Sequence, residues 1–260
     1  MKILLVGDQH GDYKYIRKVF LHAKKVEADI IVQLGDYGYG WKVRQFDEDG
    51  VVECSFAHHT SQLTKEFDIF FYWLDGNHEN FDWLEAFQAD FPDLLREDGT
   101  WEVAENVFYM PRGNMMIWDD LRFLVCGGGT STDRNRCREF VEWWHQEEIT
   151  EADVDRCEKA GKADILLTHD FPWEGNILDR HLDPFWGEWA QKQVIKSRHQ
   201  VSRVLAACGA KTVFHGHLHI AYTEQVEVDG HNVQLYGLDC NGNAMDRVVY
   251  LLDTEEYKQE

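Results

Sequence analysis

Two stretches near the N-terminus decide the architecture: Ile3-Leu4-Leu5-Val6-Gly7-Asp8 and Ile30-Ile31-Val32-Gln33-Leu34-Gly35-Asp36. Each is a short apolar run that stops at Gly-Asp, as a strand buried on both faces does where it leaves a parallel sheet. Between them, Asp12 is placed to cap a helix. Its apolar positions Ile16, Val19, Phe20 and Ala23 recur with a 3.6-residue period, and Lys24 and Lys25 sit at its negative end. Strand, helix and strand in that order imply a right-handed crossover and a parallel sheet, hence an α/β fold.

The same reading extends down the chain. Residues 69–74 form a third apolar run, ending in Gly76-Asn77-His78-Glu79, and a short helix through Leu84 and Phe87 is expected after it. Strands are expected over 107–110 and 123–126, the latter running into Gly127-Gly128-Gly129. Thr150 and Asp153 resemble a capping box opening a helix through Val154 and Cys157. Residues 165–167 lead to Thr168-His169-Asp170. Ala190, Val194, Val201, Val204, Leu205 and Cys208 have helical spacing, with Gly209 as the C-terminal cap. Residues 212–214 run into His215-Gly216-His217-Leu218-His219, and three more strands are expected before Asp253. The stretch 37–65 is less regular. Residues 41–46 and 51–56, either side of Asp49-Gly50, suggest a hairpin overhanging the strand ends. With no repeat, low-complexity tract or linker, one domain over 1–260 is expected.

Composition narrows the function classes. The formal net charge is −21, so broad binding to duplex DNA or RNA is disfavoured. A small anionic substrate remains compatible if metal ions neutralise the site locally. Cys54, Cys126, Cys137, Cys157, Cys208 and Cys240 are scattered without a C-x-x-C pair, which reads as reduced thiols in a cytoplasmic protein. The opening apolar run ends at Gly7-Asp8, too short for a secretory signal, and no run approaches the roughly 20 residues needed to span a bilayer. A soluble protein without a membrane partner is expected.

Five of the strand ends carry metal-ligand residue types: Asp8 and His10, Asp36, Asn77 beside His78, His169, and His217 with His219. In open α/β sheets the crevice beyond the strands' carboxyl ends is where ligands bind, so distant segments converge there. Singly, a D-x-H or H-x-H is more often a turn or a structural pair; as an ordered set they are hard to ascribe to chance. Carboxylate, amide oxygen and imidazole make a mixed O/N donor set, suited to Mn first, or to Fe, Zn, Ni or Co, rather than to calcium. Absence of Cys from the set argues against a structural zinc centre. Seven side chains exceed what one ion needs, which points to two divalent ions sharing a carboxylate, roughly 3.5–4 Å apart.

The pattern D-x-H, G-D, G-N-H-E, H and G-H-x-H, from Asp8 to His219, resembles that of the calcineurin-like metallophosphoesterase superfamily. The resemblance implies a four-layer αββα sandwich of two mixed sheets flanked by helices. It implies one metal on Asp8, His10, Asp36 and His219, and a second on Asp36, Asn77, His169 and His217, with Asp36 bridging. His78 would protonate the leaving oxygen, and Asn77 and Asp36 would share the catalytic centre. Two such cations make water acidic enough to serve as hydroxide at neutral pH, here as a metal-bridging hydroxide. Imidazole, with an ordinary pKa of about 6.5, suits proton donation to the departing oxygen.

The chain departs from the protein-phosphatase branch, which reads G-D-x-x-D-R-G, since here the residues are Gly35-Asp36-Tyr37-Gly38-Tyr39-Gly40. Tyr39 replaces the Asp that would buttress the catalytic His, and the Arg is missing. Arg134 and Arg136 are candidates for phosphate binding because a guanidinium fork fits phosphate; solvated surface arginines are the competing reading. The segment 131–148, with Arg136 and Trp143-Trp144, looks like bacterial and phage members. Among neighbours of the motifs, Asp170 and Glu79 are placed to orient imidazoles or to cap turns. His58-His59 read as surface or pocket rim. Trp41, Tyr37 and Tyr39 read as core, or as stacking faces for an aromatic group. The expectation is phosphodiesterase action on a small substrate such as a cyclic nucleotide. A phosphomonoesterase or phosphoprotein phosphatase, a superfamily nuclease, and a metal-binding scaffold without turnover are the alternatives.

Overall fold

The computed structural model describes residues 1–41, 55–176 and 187–259. One sheet contains β1 (Lys2–Val6), β2 (Ile30–Leu34), β3 (Phe70–Leu74), β4 (Trp101–Ala104), β5 (Val107–Tyr109) and β12 (Val249–Asp253), in the order β12-β1-β2-β3-β5-β4. The other contains β6 (Met115–Trp118), β7 (Leu121–Cys126), β8 (Ile165–Thr168), β9 (Thr212–His215), β10 (Tyr222–Val228) and β11 (His231–Gly237), in the order β10-β11-β9-β8-β7-β6. In each, the inner strands pair in parallel and the edge pairs are antiparallel.

Strand alternation explains why two sheets stack. Along β1, Ile3 and Leu5 face one way and Leu4 and Val6 the other, and all are fully buried. Ile3 and Leu5 meet Phe123, Val125, Ile165, Leu167 and Phe214 of the second sheet in a central core. Leu4 and Val6 join an outer core beneath α1 (Tyr13–Lys25) and α2 (Ser55–Phe67). On the far side, Leu124 and Leu166 pack under α4 (Glu151–Ala160) and α5 (Glu188–Cys208). Helices, sheet, sheet and helices form the four expected layers.

The local signals behave as their chemistry requires. Asp12 caps α1, its carboxylate accepting from the Lys14 and Tyr15 amides. Thr150 and Asp153 form a reciprocal capping box on α4. Gly209 ends α5 in the left-handed conformation, φ 67°, and its N–H donates to the Leu205 carbonyl. The helix after β3 is α3 (Phe81–Asp90), capped by Asn80. No described helix is long and apolar enough to cross a membrane. Cys126, Cys157 and Cys208 are buried thiols in the outer core under α4 and α5.

The expected hairpin needs correction. Residues 42–54 lie outside the described residues, and Phe56, placed at the end of the second arm, belongs to helix α2. The buried face of α2 mixes Phe56, Leu63 and Phe67 with Thr60, Ser61 and Thr64, so polar residues thin the apolar period. Their hydroxyls are satisfied inside: Thr60 donates to the Phe56 carbonyl and accepts from the Tyr37 hydroxyl, and Thr64 donates to the Ser61 carbonyl. His58 is exposed on this helix, and His59 packs beside the Tyr13 ring.

Candidate active site

The carboxyl ends of β1, β2, β3, β8 and β9 open onto one crevice at the rim where the sheets meet. Asp8, Asp36, Asn77, His169 and His217 each follow one of these strands within three residues. The backbone there is bent out of the usual range: φ is 50° at His10, 48° at Asp36, 68° at His217 and 54° at His219. These left-handed turns aim the side chains back over the strand ends. Glycine makes the approach possible, since a Cβ on Gly76 would strike the Asp36 carboxylate and one on Gly216 the Asp8 carboxylate.

Asp36 stands between two groups of residues. Its Oδ2 lies 3.2 Å from His10 Nε2, and its Oδ1 lies 3.3 Å from His169 Nε2. The amides of Asn77 and His78 both donate to Oδ1, each at 2.8 Å, fixing the carboxylate from behind. Asp8 accepts from the His217 amide, and its Oδ2 is 3.0 Å from His219 Nε2. One ligand atom from each of Asp8, His10, Asp36 and His219 falls within 4.8 Å of the others. On the other side, His169 Nε2 is 3.0 Å from Asn77 Oδ1 and 3.1 Å from His217 Nδ1. All seven expected ligands therefore converge.

The donor chemistry fits a cation. His169 donates its Nδ1–H to the Leu34 carbonyl at 2.8 Å, which leaves Nε2 as the inward atom. Asn77 donates its Nδ2–H to Ser131 Oγ at 3.0 Å, which turns Oδ1 toward that nitrogen. With Nε2 unprotonated, as a metal ligand must be, an amide oxygen faces an imidazole lone pair at 3.0 Å. Such lone pairs repel unless a positive ion lies among them.

The titrating groups follow the same field. Burial pushes the Asp36 carboxyl up, but His169, His78 and His10 outweigh it and hold it well below the usual range. Asp8 is likewise lowered, burial being outweighed by the His219 bond and by His169. Burial works against a charged His10, yet the bond from Asp36 raises it to about 9. His219 rises to about 11 through its bond to Asp8 and a second to Cys240. Burial pushes His217 down to about 4, so its ring stays neutral.

His78 lies half-buried at the mouth, its ring 4.4 Å from the Trp41 ring and 5.5 Å from the His10 ring. Its Nδ1 is buried and has no hydrogen-bond partner among the described residues. Burial lowers its pKa, favouring the neutral ring. Tyr39 does not buttress it; that ring is buried and stacks on Trp73 at 5.5 Å. Trp41 supports His78 instead, held by its indole N–H donating to the Glu142 carbonyl at 3.0 Å. Tyr37 is core, packed between Phe56 and Trp73.

The remaining neighbours of the motifs have partners of other kinds. Glu79 orients no imidazole; its carboxylate accepts from the Tyr37, Gly38 and Tyr39 amides and shapes the turn after Asp36. Asp170 pairs with Ser197 and the buried Arg198 on α5. His215 faces away, bonded between the Gly216 carbonyl and the Tyr222 hydroxyl. Arg134 lays its guanidinium over Trp143, 4.8 Å from the ring centre, and over Trp189; Arg136 is exposed. Neither bonds a candidate ligand among the described residues.

Three contributors escaped the sequence reading. Asn241 accepts from His10 Nδ1 at 2.9 Å and ties its own Nδ2–H to Asp12. That bond leaves His10 Nε2 as the inward atom. Ser131 and Glu147 stand behind Asn77, with Glu147 accepting from the Ser131 amide and hydroxyl. Asn241 sits in Asp239-Cys240-Asn241-Gly242-Asn243, whose composition reads as a turn and nothing more.

The family profile of calcineurin-like phosphoesterases matches residues 1–221. No curated protein sequence matches the chain. Among solved structures, the Thermus thermophilus protein TT1561 superposes with a TM-score of 0.55 at 12% identity, over 97% of this chain and 98% of that one. A dimetal phosphatase from Danio rerio gives 0.48 at 11% identity, over 92% and 87% of the two chains. An archaeal phosphodiesterase gives 0.44 at 15% identity, over 98% and 95%. The profile match over most of its length, on a fold of two helix-covered sheets, shows that the chain belongs to the calcineurin-like phosphoesterase family.

Proposed function

We propose that the protein hydrolyses small phosphodiesters, of the cyclic nucleotide class, with two divalent cations, manganese first among them. Asp8, His10, Asp36 and His219 would hold one ion and Asp36, Asn77, His169 and His217 the other. When bound, such ions supply Lewis acidity: they polarise phosphoryl oxygens and make water acidic enough to attack phosphorus. The observation that carries this reading is the inward convergence of six polar side chains around a seventh, Asp36, whose two oxygens face His10 and His169 at 3.2 and 3.3 Å.

The remaining steps fall to the chain's own residues. His78 is placed to give a proton from its imidazole to the departing oxygen. Burial lowers its pKa, so the neutral ring predominates at neutral pH and the imidazolium, where it forms, is the stronger acid. Trp41 flanks His78, so a leaving group beside that imidazole passes along an indole face suited to a base or aryl ring. The preference for diesters rests on charge. No arginine bonds the ligand atoms among the described residues, and the chain's net charge is −21. A monoester dianion meets that field with twice the charge of a diester. Arg134, held over two indole rings, is the proposed phosphate contact from the loop opposite.

The test is direct. Metal-free protein is loaded with Mn²⁺ and assayed on bis-p-nitrophenyl phosphate, p-nitrophenyl phosphate, and 2′,3′- and 3′,5′-cyclic nucleotides. Diester turnover should exceed monoester turnover. Faster monoester turnover would reverse the substrate assignment, and no turnover by metal-loaded protein would leave a metal-binding scaffold.

A further inference from the structure

We infer that Glu147, acting through Ser131, is a positioning residue that fixes which end of the Asn77 amide faces the candidate metal centre. This rests on the two-ion reading above and assigns to it two residues outside the metal-ligand motifs.

A primary amide has two ends of equal size, an acceptor and a donor, and only the oxygen can ligate a cation. Asn77 is 3% exposed, so water does not choose between them. Its neighbour His169 presents Nε2 at 3.0 Å, with Nδ1–H already given to Leu34. In metal-free protein that nitrogen would welcome an N–H. A flipped Asn77 would donate to it and close the site. Something on the other side of the amide must oppose the flip.

Ser131 Oγ is that group, accepting from Asn77 Nδ2 at 3.0 Å. A hydroxyl alone does not decide, because it can donate as readily as accept. Glu147 removes the ambiguity. Its Oε2 lies 2.8 Å from Ser131 Oγ, and its Oε1 accepts from the Ser131 amide at 2.8 Å. A carboxylate only accepts, so the single hydroxyl proton points at Glu147 and the oxygen's lone pairs are left for Asn77. Ser131 is 2% exposed and Glu147 fully buried. Burial pushes the Glu147 carboxyl up to about 8 in the metal-free protein, against the two Ser131 bonds that favour its charged form, so the device is fully set above that pH. Glu147 is itself clamped through its backbone: its carbonyl accepts from the Gly129 amide at 3.0 Å and from Arg112 Nη2 at 3.1 Å. The order Asn77 to Ser131 to Glu147 is thus set by the one member that, once charged, cannot donate.

The test is Mn²⁺ titration of the full chain by calorimetry, above pH 8 and without oxygen, with wild type, Ser131→Ala, Ser131→Thr and Glu147→Gln. Wild type should bind two ions. Ser131→Ala and Glu147→Gln should weaken one ion by about 10–100-fold and leave the other unchanged, the scale on which groups behind metal ligands act. Ser131→Thr keeps the hydroxyl and should restore wild-type affinity. Equal affinities in wild type and Ser131→Ala would overturn the inference, as would Ser131→Thr binding as weakly as Ser131→Ala. A wild type that binds fewer than two ions would instead overturn the two-ion reading beneath it. Thermal melts in chelator separate the effect from misfolding, since Ser131→Thr and wild type should melt alike.

Discussion

Removing the guanidinium of Arg112 tests the strongest electrostatic claim in the fold. Arg112 is 8% exposed and lies against Asp75 (0%) and Asp153 (6%). Its Nε and Nη2 reach Asp75 Oδ2 at 2.8 and 2.6 Å, and its Nη1 reaches Asp153 at 3.2 Å. The same nitrogens donate to the carbonyls of Gln146, Glu147 and Glu148 at 2.9, 3.1 and 2.8 Å. Arg112→Met keeps most of the apolar stem but leaves Asp75 buried with only the Tyr109 hydroxyl, 2.9 Å away, as a partner. Breaking one side of a buried pair costs about 3–5 kcal/mol. Asp153 keeps Thr150 and Arg156, so the loss falls chiefly on Asp75. Against a total stability of about 5–15 kcal/mol, a loss of about 4 kcal/mol is large. At a urea dependence of about 3 kcal/mol per molar, the unfolding midpoint should fall by roughly 1.3 M. Arg112→Met with Asp75→Asn should regain part of it, because no unpaired charge remains and Tyr109 keeps an acceptor. A midpoint shift under about 0.3 M in the single variant would refute the reasoning.

The other predictions concern the site. His78→Ala should keep both metals but lose about 10²–10⁴-fold in turnover on alkoxide leaving groups, and far less on p-nitrophenolate; equal losses on both would remove it from proton donation. Metal affinity should rise with pH between about 6 and 8, by about tenfold per unit for each proton displaced, because His10 titrates at about 9 and His219 at about 11 in the metal-free protein. The sign for stability is opposite. The proton on His10 stabilises the metal-free fold fully below its ordinary pKa of 6.5, and that contribution is lost as pH rises through about 9. Calorimetry in buffers of different ionisation heat reads both, and affinity flat across this range would contradict the assignment. Trp41→Leu should raise KM for a nucleoside cyclic phosphate by about 5–150-fold, the worth of one stacked base, and leave a small alkyl diester unaffected. Parallel changes on both substrates would place Trp41 in the support of His78 alone.

The parts of the fold that were legible in sequence are those fixed by neighbours along the chain. Apolar runs that stop at Gly7-Asp8, Gly35-Asp36 and Gly76-Asn77 announce strand ends, because a glycine there lets a group from another strand approach. The caps at Asp12, Thr150 and Gly209 are equally local. What escaped depends on contacts across the chain. Helix α2 hides its period behind buried threonines whose hydroxyls bond carbonyls of their own helix, and only the packed fold shows Tyr37 donating to Thr60. β4 is interrupted by a register shift between Glu102 and Ala104 and has no fully buried residue. At the site, the seven candidate ligands could be named from type and order, but their supports could not. Asn241 meets His10 from 231 residues away, and Trp41 finds Glu142 from 101. Polar residues in turn-rich segments look alike until the fold chooses their partners.

Four of the seven candidate ligands hold positive φ, a posture that a side chain other than glycine or asparagine tolerates at about 1 kcal/mol each. Folding and chemistry therefore pull these positions in different directions. A glycine at 10 or 219 would relax the main chain but would take away the imidazole that Asp36 or Asp8 holds, so the strained turn and its side chain stand or fall together.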